Sequence, residues 1–311
     1  MGLLPHGPFA CKQVDSPYYP SESHEAARQA GLTCLGDGEP GFYLAGPPGA
    51  GKTTILRQIL KHEAVAQEIL VVNSAFPLSR KELIQSLLFD CQLPLGGTEV
   101  EVHLRLMDHL AGVLSTSCSI WVLVDDAGSL GADALGELFA LTRITGKGGA
   151  RLQVLMGGEE NCESPGDSLA GFPKITVQPW QTAELADWIR QRIAAWKGTS
   201  IGSPTREWMR GLLPDGNGYP GQVLAILRSA WRQSGDQSVV YPDLEKIRQV
   251  REALAPAKDQ PDRRESRRLV DSIPEMPLPV REPAQSGLEY EGLEEWMAGS
   301  APSFTSWEQG G

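Results

Sequence analysis

The sequence has no long apolar run, no paired-cysteine motif and no surplus of positive charge. Nothing approaches the roughly 20 consecutive apolar residues that cross a bilayer as a helix. Nor does the N-terminus show the basic stretch and apolar core of a secretory signal. Both absences lead to the expectation of a soluble, cytoplasmic chain. The five cysteines, Cys11, Cys34, Cys91, Cys118 and Cys162, are widely spaced and odd in number. They read as ordinary reduced thiols, and the spacing indicates neither a zinc site nor a disulfide framework. Lys and Arg total 28 against 39 Asp and Glu, a net charge of −11. Such a chain repels phosphate backbones, so nucleic acid is not its default partner unless a local basic patch overrules the net charge.

What is present supports a folded core and many turns: hydrophobic residues make up 41%, with 34 glycines and 23 prolines among 311 residues. Four zones follow. Residues 1–40 are a lead-in with a helix over 21–35, where Ser21 is the N-cap and Glu22 and Glu25 favour the positive helix end. Residues 41–177 alternate short apolar runs with amphipathic stretches. Strands are expected at 42–45, 69–72, 120–124, 151–156 and 174–177, with helices at 53–67, 80–90, 102–115 and 132–141. Apolar strands without polar alternation, separated by helices, predict an α/β fold with a parallel sheet covered on both faces. Residues 178–254 carry helix patterns only, at 182–196, 205–213, 222–233 and 242–254, and are expected to form a small all-α lid. Residues 255–311 are rich in Pro, Glu, Arg and Ser and read as a disordered tail.

One segment carries chemistry. Gly46-Pro47-Pro48-Gly49-Ala50-Gly51-Lys52-Thr53 fits G-x-x-x-x-G-K-[ST] between an expected strand and helix, the context this phosphate-binding loop requires. Its glycines let backbone N–H groups turn inward around phosphates, and the following helix adds its dipole. Lys52 is expected on the β- and γ-phosphates of ATP and Thr53 on Mg²⁺, with Gly46 through Thr54 together holding the phosphates. A strand-end acid is the second requirement, and Ile120 to Val124 runs into Asp125 and Asp126. Asp125 is expected on the Mg²⁺ side, although two acids after a strand also suit a plain helix N-terminus.

Several stretches in order resemble the ExeA/GspA-type secretion ATPases, a branch of the AAA+ P-loop proteins. Pro8-Phe9, Tyr18-Tyr19-Pro20-Ser21 and His24-Glu25-Ala26 look like that family's lead-in. Asn73, Pro77-Leu78-Ser79 and Glu82-Leu83 resemble its "N-P-x-L-S-x-x-E-L". Asp125-Asp126-Ala127-Gly128-Ser129-Leu130 resembles "DEA-x-x-L", and Leu152 to Gly157 resembles "L-Q-I-V-L-x-G". Similarity spans roughly residues 5–235. The resemblance implies an AAA+-like P-loop domain that couples ATP to oligomerisation or partner control in secretion or envelope assembly. The departures from the family pattern bear on hydrolysis. Asp126 stands where the catalytic glutamate is expected, Gly158 where a polar sensor is, and Gly221 where a sensor arginine closes "G-x-P-R". No "Q-R-I" appears between Leu169 and Val177. Asp126 remains the candidate catalytic residue of a slow ATPase. A non-hydrolysing ATP-dependent scaffold and a transposition-helper ATPase polymerising on DNA are the alternatives.

Other residues are weighed against simpler roles. His24 and His62 read as surface or capping histidines, and Trp121 as core. Phe42 and Tyr43 read as strand packing rather than adenine contacts. Arg263, Arg264, Arg267 and Arg268 read as a solvated run. Leu293, Trp296 and Met297 fall on one helical face among acids in the tail, which suggests a partner-docking helix ordered on binding.

Overall fold

The computed structural model describes Phe9 and residues 18–63, 67–72, 78–160, 171–234 and 241–254. Outside these lie Pro8, Asn73, Pro77, Cys11, Cys162, the Leu169 stretch, the tail arginines and the Leu293, Trp296 and Met297 face.

Five strands form one parallel sheet: β1 (Gly41–Ala45), β2 (Gln67–Val72), β3 (Ser119–Val124), β4 (Leu152–Gly158) and β5 (Lys174–Thr176), in the order β2-β3-β4-β1-β5. Successive side chains alternate between its faces. Phe42, Leu44, Val71, Trp121, Leu123 and Leu155 pack on one face against α1 (Glu22–Gly36) and α2 (Lys52–Glu63). Tyr43, Ala45, Leu70, Val72, Val122 and Met156 pack on the other, under α3 (Arg80–Asp90), α4 (Glu99–Ser115) and α5 (Ala132–Leu141). Both faces are dry, which is why the strands read as uninterrupted apolar runs. Phe42, Tyr43 and Trp121 are all buried in this packing.

Local signals fix the helix ends. Ser21 accepts from the His24 N–H as N-cap of α1. Ser79 with Glu82, and Thr98 with Glu101, form reciprocal capping boxes on α3 and α4. The second box starts α4 at Glu99, three residues before the buried Val102 that marks the apolar pattern. The helix expected over 53–67 instead stops at Glu63, because Gln67 is taken into the sheet opposite Ser119. Glu137 is buried on α5 and is held by Arg80 at 2.7 Å and by His103 at 3.3 Å, linking three helices on one face. At the sheet's open edge, the Asp90 carboxylate accepts the Val71 N–H of β2. Of the described cysteines, Cys34 and Cys91 are free thiols. Burial first, then Glu68 and Asp90, push the Cys91 thiol up to about 12.

The segment after the sheet is not purely helical, as the apolar pattern led us to expect. Trp180–Gln181 (β6) and Asn217–Gly218 (β7) pair as a short antiparallel ribbon beside α6 (Thr182–Lys197), α7 (Arg206–Leu212), α8 (Pro220–Ser234) and α9 (Leu244–Leu254). Two residues per strand are too few to set up an alternation that can be read in sequence. This helical unit has its own core, containing Leu185, Ile189, Trp208, Val223, Leu227 and Ile247. Phe9 of the lead-in is buried in that same core, and Arg228 donates to its carbonyl.

Candidate functional site

The site lies at the carboxyl ends of the parallel strands, where β1 is flanked by β4 and β5, the usual place for ligands in open α/β sheets. β1 delivers residues 46–51 directly into α2. Gly49 (φ 80°) and Gly51 (φ 92°) adopt the left-handed backbone that turns this loop, a conformation side chains resist. The Lys52 ammonium donates to the carbonyls of Gly46 at 2.7 Å and Pro47 at 3.1 Å. Burial lowers its pKa, while Glu159, Asp125 and Asp126 work in the opposite direction. Pro48 and Thr54 are exposed, and Ala50 is buried.

Asp125 follows β3, and the Thr53 hydroxyl donates to its carboxylate at 2.7 Å. The two residues expected at the metal are thus brought together from elements 72 positions apart. Asp126 also behaves as the simpler alternative allowed: its carboxylate accepts the Gly128 N–H at 3.2 Å and caps a short 3-10 turn over Ala127–Ser129. Two further charges belong to the site and had no motif to reveal them. Arg57 lies one turn beyond Thr53 on α2; burial lowers its pKa against the pull of Asp125. Glu159 follows β4 and acts on Lys52.

His24 overturns its reading as a surface or capping residue. It is 2% exposed, its Nε2 lies 2.9 Å from the Ala50 carbonyl, and its ring meets Trp180 edge-on at 4.8 Å. A Cβ at Gly51 would stand 2.4 Å from the imidazole, so the ring is a wall of the loop. Burial lowers the His24 pKa, against the Ala50 carbonyl and the nearby Glu184 and Glu25. Around it the start of α1 is tied to the helical unit: Glu22 N–H to Glu184, Ser23 to the Gln178 carbonyl, and Tyr19 to Asp187.

Both sensor departures have a steric basis. A Cβ at Gly158 would lie 2.3 Å from the Tyr43 hydroxyl, and that ring is held in place by a 2.6 Å bond to the Glu159 carbonyl. At the start of α8, which Pro220 opens, the Gly221 N–H donates to the Gly49 carbonyl at 2.9 Å. A Cβ at Gly221 would meet Gly49 Cα at 2.5 Å and its oxygen at 2.8 Å. Helix and phosphate loop therefore touch backbone to backbone, with no room between them for the arginine that the family pattern places there.

The family description "AAA domain" matches residues 37–164. General secretion pathway protein A of Aeromonas hydrophila is 29% identical over 161 residues, which are 50% of this chain and 29% of that protein. The chain therefore spans less than a third of that relative's length. Among solved structures, Cdc6p from Pyrobaculum aerophilum superposes with a TM-score of 0.61 at 16% identity, covering 86% of this chain and 74% of that one. The Drosophila ORC bound to DNA gives a TM-score of 0.55 at 17% identity, covering 82% and 68%. At such identities the structural likeness shows the fold alone. With the strand order, the loop after β1 and the acid after β3, the chain has an AAA+-like P-loop fold; residues 37–164 match an AAA domain, and the chain is similar to the ExeA/GspA-type secretion ATPases.

Proposed function

We propose that this chain binds ATP with Mg²⁺ at the loop of residues 46–54 and uses the bound state to control self-assembly or a protein partner, with hydrolysis slow or absent. The 2.7 Å pairing of Thr53 with Asp125 beside Lys52 carries this reading. A hydroxyl and a carboxylate are hard oxygen donors of the kind Mg²⁺ prefers, and a cation there would offset phosphate charge. Lys52 and the loop N–H groups would hold the β- and γ-phosphates. Slow turnover is favoured by the filled spaces at Gly158 and Gly221, where no polar or cationic side chain fits. Loss of a transition-state cation alone lowers phosphoryl-transfer rates by ~10³ or more. Asp126 is the remaining candidate to polarise water, one methylene shorter than a glutamate. The secretion setting rests on the relative from Aeromonas hydrophila; oligomerisation rests on the resemblance to the ExeA/GspA-type ATPases, and a cytoplasmic location on the sequence expectation. A docking role for Leu293, Trp296 and Met297 rests on the tail sequence.

Calorimetric titration of ATP, with and without Mg²⁺, tests the site. Wild type binds more tightly with Mg²⁺, Lys52→Ala loses binding, and Asp125→Ala retains weak binding that no longer responds to Mg²⁺. Unchanged affinity in Lys52→Ala would sink the assignment.

A further inference from the structure

A second group of ligand-type side chains converges at the open edge of the sheet, away from the phosphate loop. Glu68 stands near the start of β2, Cys91 is the C-cap of α3, and His109 lies on α4. His109 Nε2 is 3.0 Å from a Glu68 carboxylate oxygen. One donor atom from each of the three residues lies within 4.8 Å of the other two. All three are half-buried. Among the described residues, the ion pair recorded for Glu68 is with His109, so no lysine or arginine competes for the carboxylate.

We propose that Glu68, Cys91 and His109 form a binding site for a zinc-class divalent cation, completed by a water, that pins α3 and α4 to edge strand β2. The donor chemistry selects the ion. Sulfur, imidazole nitrogen and carboxylate oxygen together suit zinc, whereas magnesium and calcium take all-oxygen shells. The spacing is close to what such a shell needs. Tetrahedral bonds of ~2.0–2.3 Å place donors about 3.3–3.8 Å apart, so the widest span closes by about 1 Å, within reach of a side-chain rotation. Charge balances as well. Cysteine coordinates as the thiolate, releasing its proton to solvent, and thiolate plus carboxylate neutralise a doubly charged ion beside a neutral His109. The Asp90 carboxylate, engaged by the Val71 N–H, adds attraction for a cation without being needed as a ligand.

The site is independent of nucleotide. Glu68 pairs with Ile120, and Asp125 follows five residues later along the same strand direction, about 16 Å away at the usual strand rise. Sequence spacing alone would not reveal it, because each donor comes from a different element.

The test uses the full-length chain, stripped with a chelator and titrated with Co²⁺ as a spectroscopic probe. One equivalent should produce a near-ultraviolet thiolate-to-cobalt band that Zn²⁺ abolishes. Cys91→Ser should lose the band, and Glu68→Gln and His109→Gln should weaken Zn²⁺ binding by ~100-fold or more. ATP affinity should be unchanged in all three. Zn²⁺ should raise the thermal midpoint of wild type but not of the variants, whose metal-free midpoints verify folding. Glu68→Gln keeps the carboxamide oxygen near His109, so it tests the charge without removing the contact. No thiolate band in wild type, or a band that persists in Cys91→Ser, would overturn the proposal.

Discussion

The contact between Gly49 and Gly221 can be tested with one methyl group. Gly221 is not in the left-handed region, so Gly221→Ala carries no backbone penalty, and any destabilisation comes from the added Cβ. That atom would start 2.5 Å from Gly49 Cα and 2.8 Å from Gly49 O, both backbone atoms that cannot rotate away. Either α8 or the phosphate loop must move. Forced overpacking of this kind costs about 1–3 kcal/mol. At about 2–4 °C per kcal/mol for a folded body of this size, the thermal midpoint falls by about 2–12 °C. Because Gly49 belongs to the phosphate loop, ATP affinity falls with it. Gly112→Ala is the control, since nothing lies within 4 Å of a Cβ there on α4; removing a helical glycine stabilises by about 0.5–1 kcal/mol. Differential scanning of the three proteins decides the matter. A Gly221→Ala midpoint equal to wild type, with the control behaving as expected, would refute close contact between α8 and the loop.

Two further outcomes follow from the site. His24 is held neutral by burial, with its pKa below the ordinary 6.5. Between that lowered value and 6.5 the unfolded chain holds more protons than the folded one, so stability falls as pH drops through this window. The thermal midpoint of His24→Gln should therefore decline less steeply than wild type as pH falls below about 6.5; equal slopes would show that the ring is not buried neutral. For Asp126, an asparagine amide oxygen can still accept the Gly128 N–H, so Asp126→Asn should keep the midpoint and ATP affinity while phosphate release drops towards zero. Asp126→Glu, reaching one methylene further, should release phosphate faster than wild type at saturating Mg-ATP, and equal rates in all three would remove Asp126 from the chemistry.

Much of the fold was legible because its causes are local. α3 and α5 match their expected residues, since each keeps a buried stripe and α3 begins at a capping box. The strands showed as apolar runs because both faces are covered. The end of α2 was misplaced because helix-forming residues continue past Glu63, and pairing of Gln67 with Ser119 overrides their propensity. The start of α4 was misplaced at Val102, the first buried position, because the capping box of Thr98 and Glu101, which starts the helix at Glu99, was not read. The phosphate loop, Asp125 and Asp126 could be placed from motif spacing. His24 could not, since its partners Ala50, Gly51 and Trp180 lie far along the chain. Arg57 and Glu159 belong to no motif, and only the folded sheet brings them to Lys52 and Asp125. The glycines at 158 and 221 showed in sequence as missing side chains. The Tyr43 ring and the Gly49 backbone that occupy those spaces became visible only in three dimensions.

The joint between α8 and the phosphate loop also bears on how the chain is made. Gly221 is translated 172 positions after Gly49, whose carbonyl it binds. At ~5–20 residues per second, the loop leaves the ribosome about 10–35 s before its backbone partner exists. Trp180, which the His24 ring meets, arrives almost as late. During that interval the sheet strands β1 to β4 can pair while the loop lacks two of its walls. A nascent chain of this protein should therefore gain its full affinity for nucleotide only after the helical unit has emerged, which would keep half-made copies from competing with finished ones for ATP or for partners.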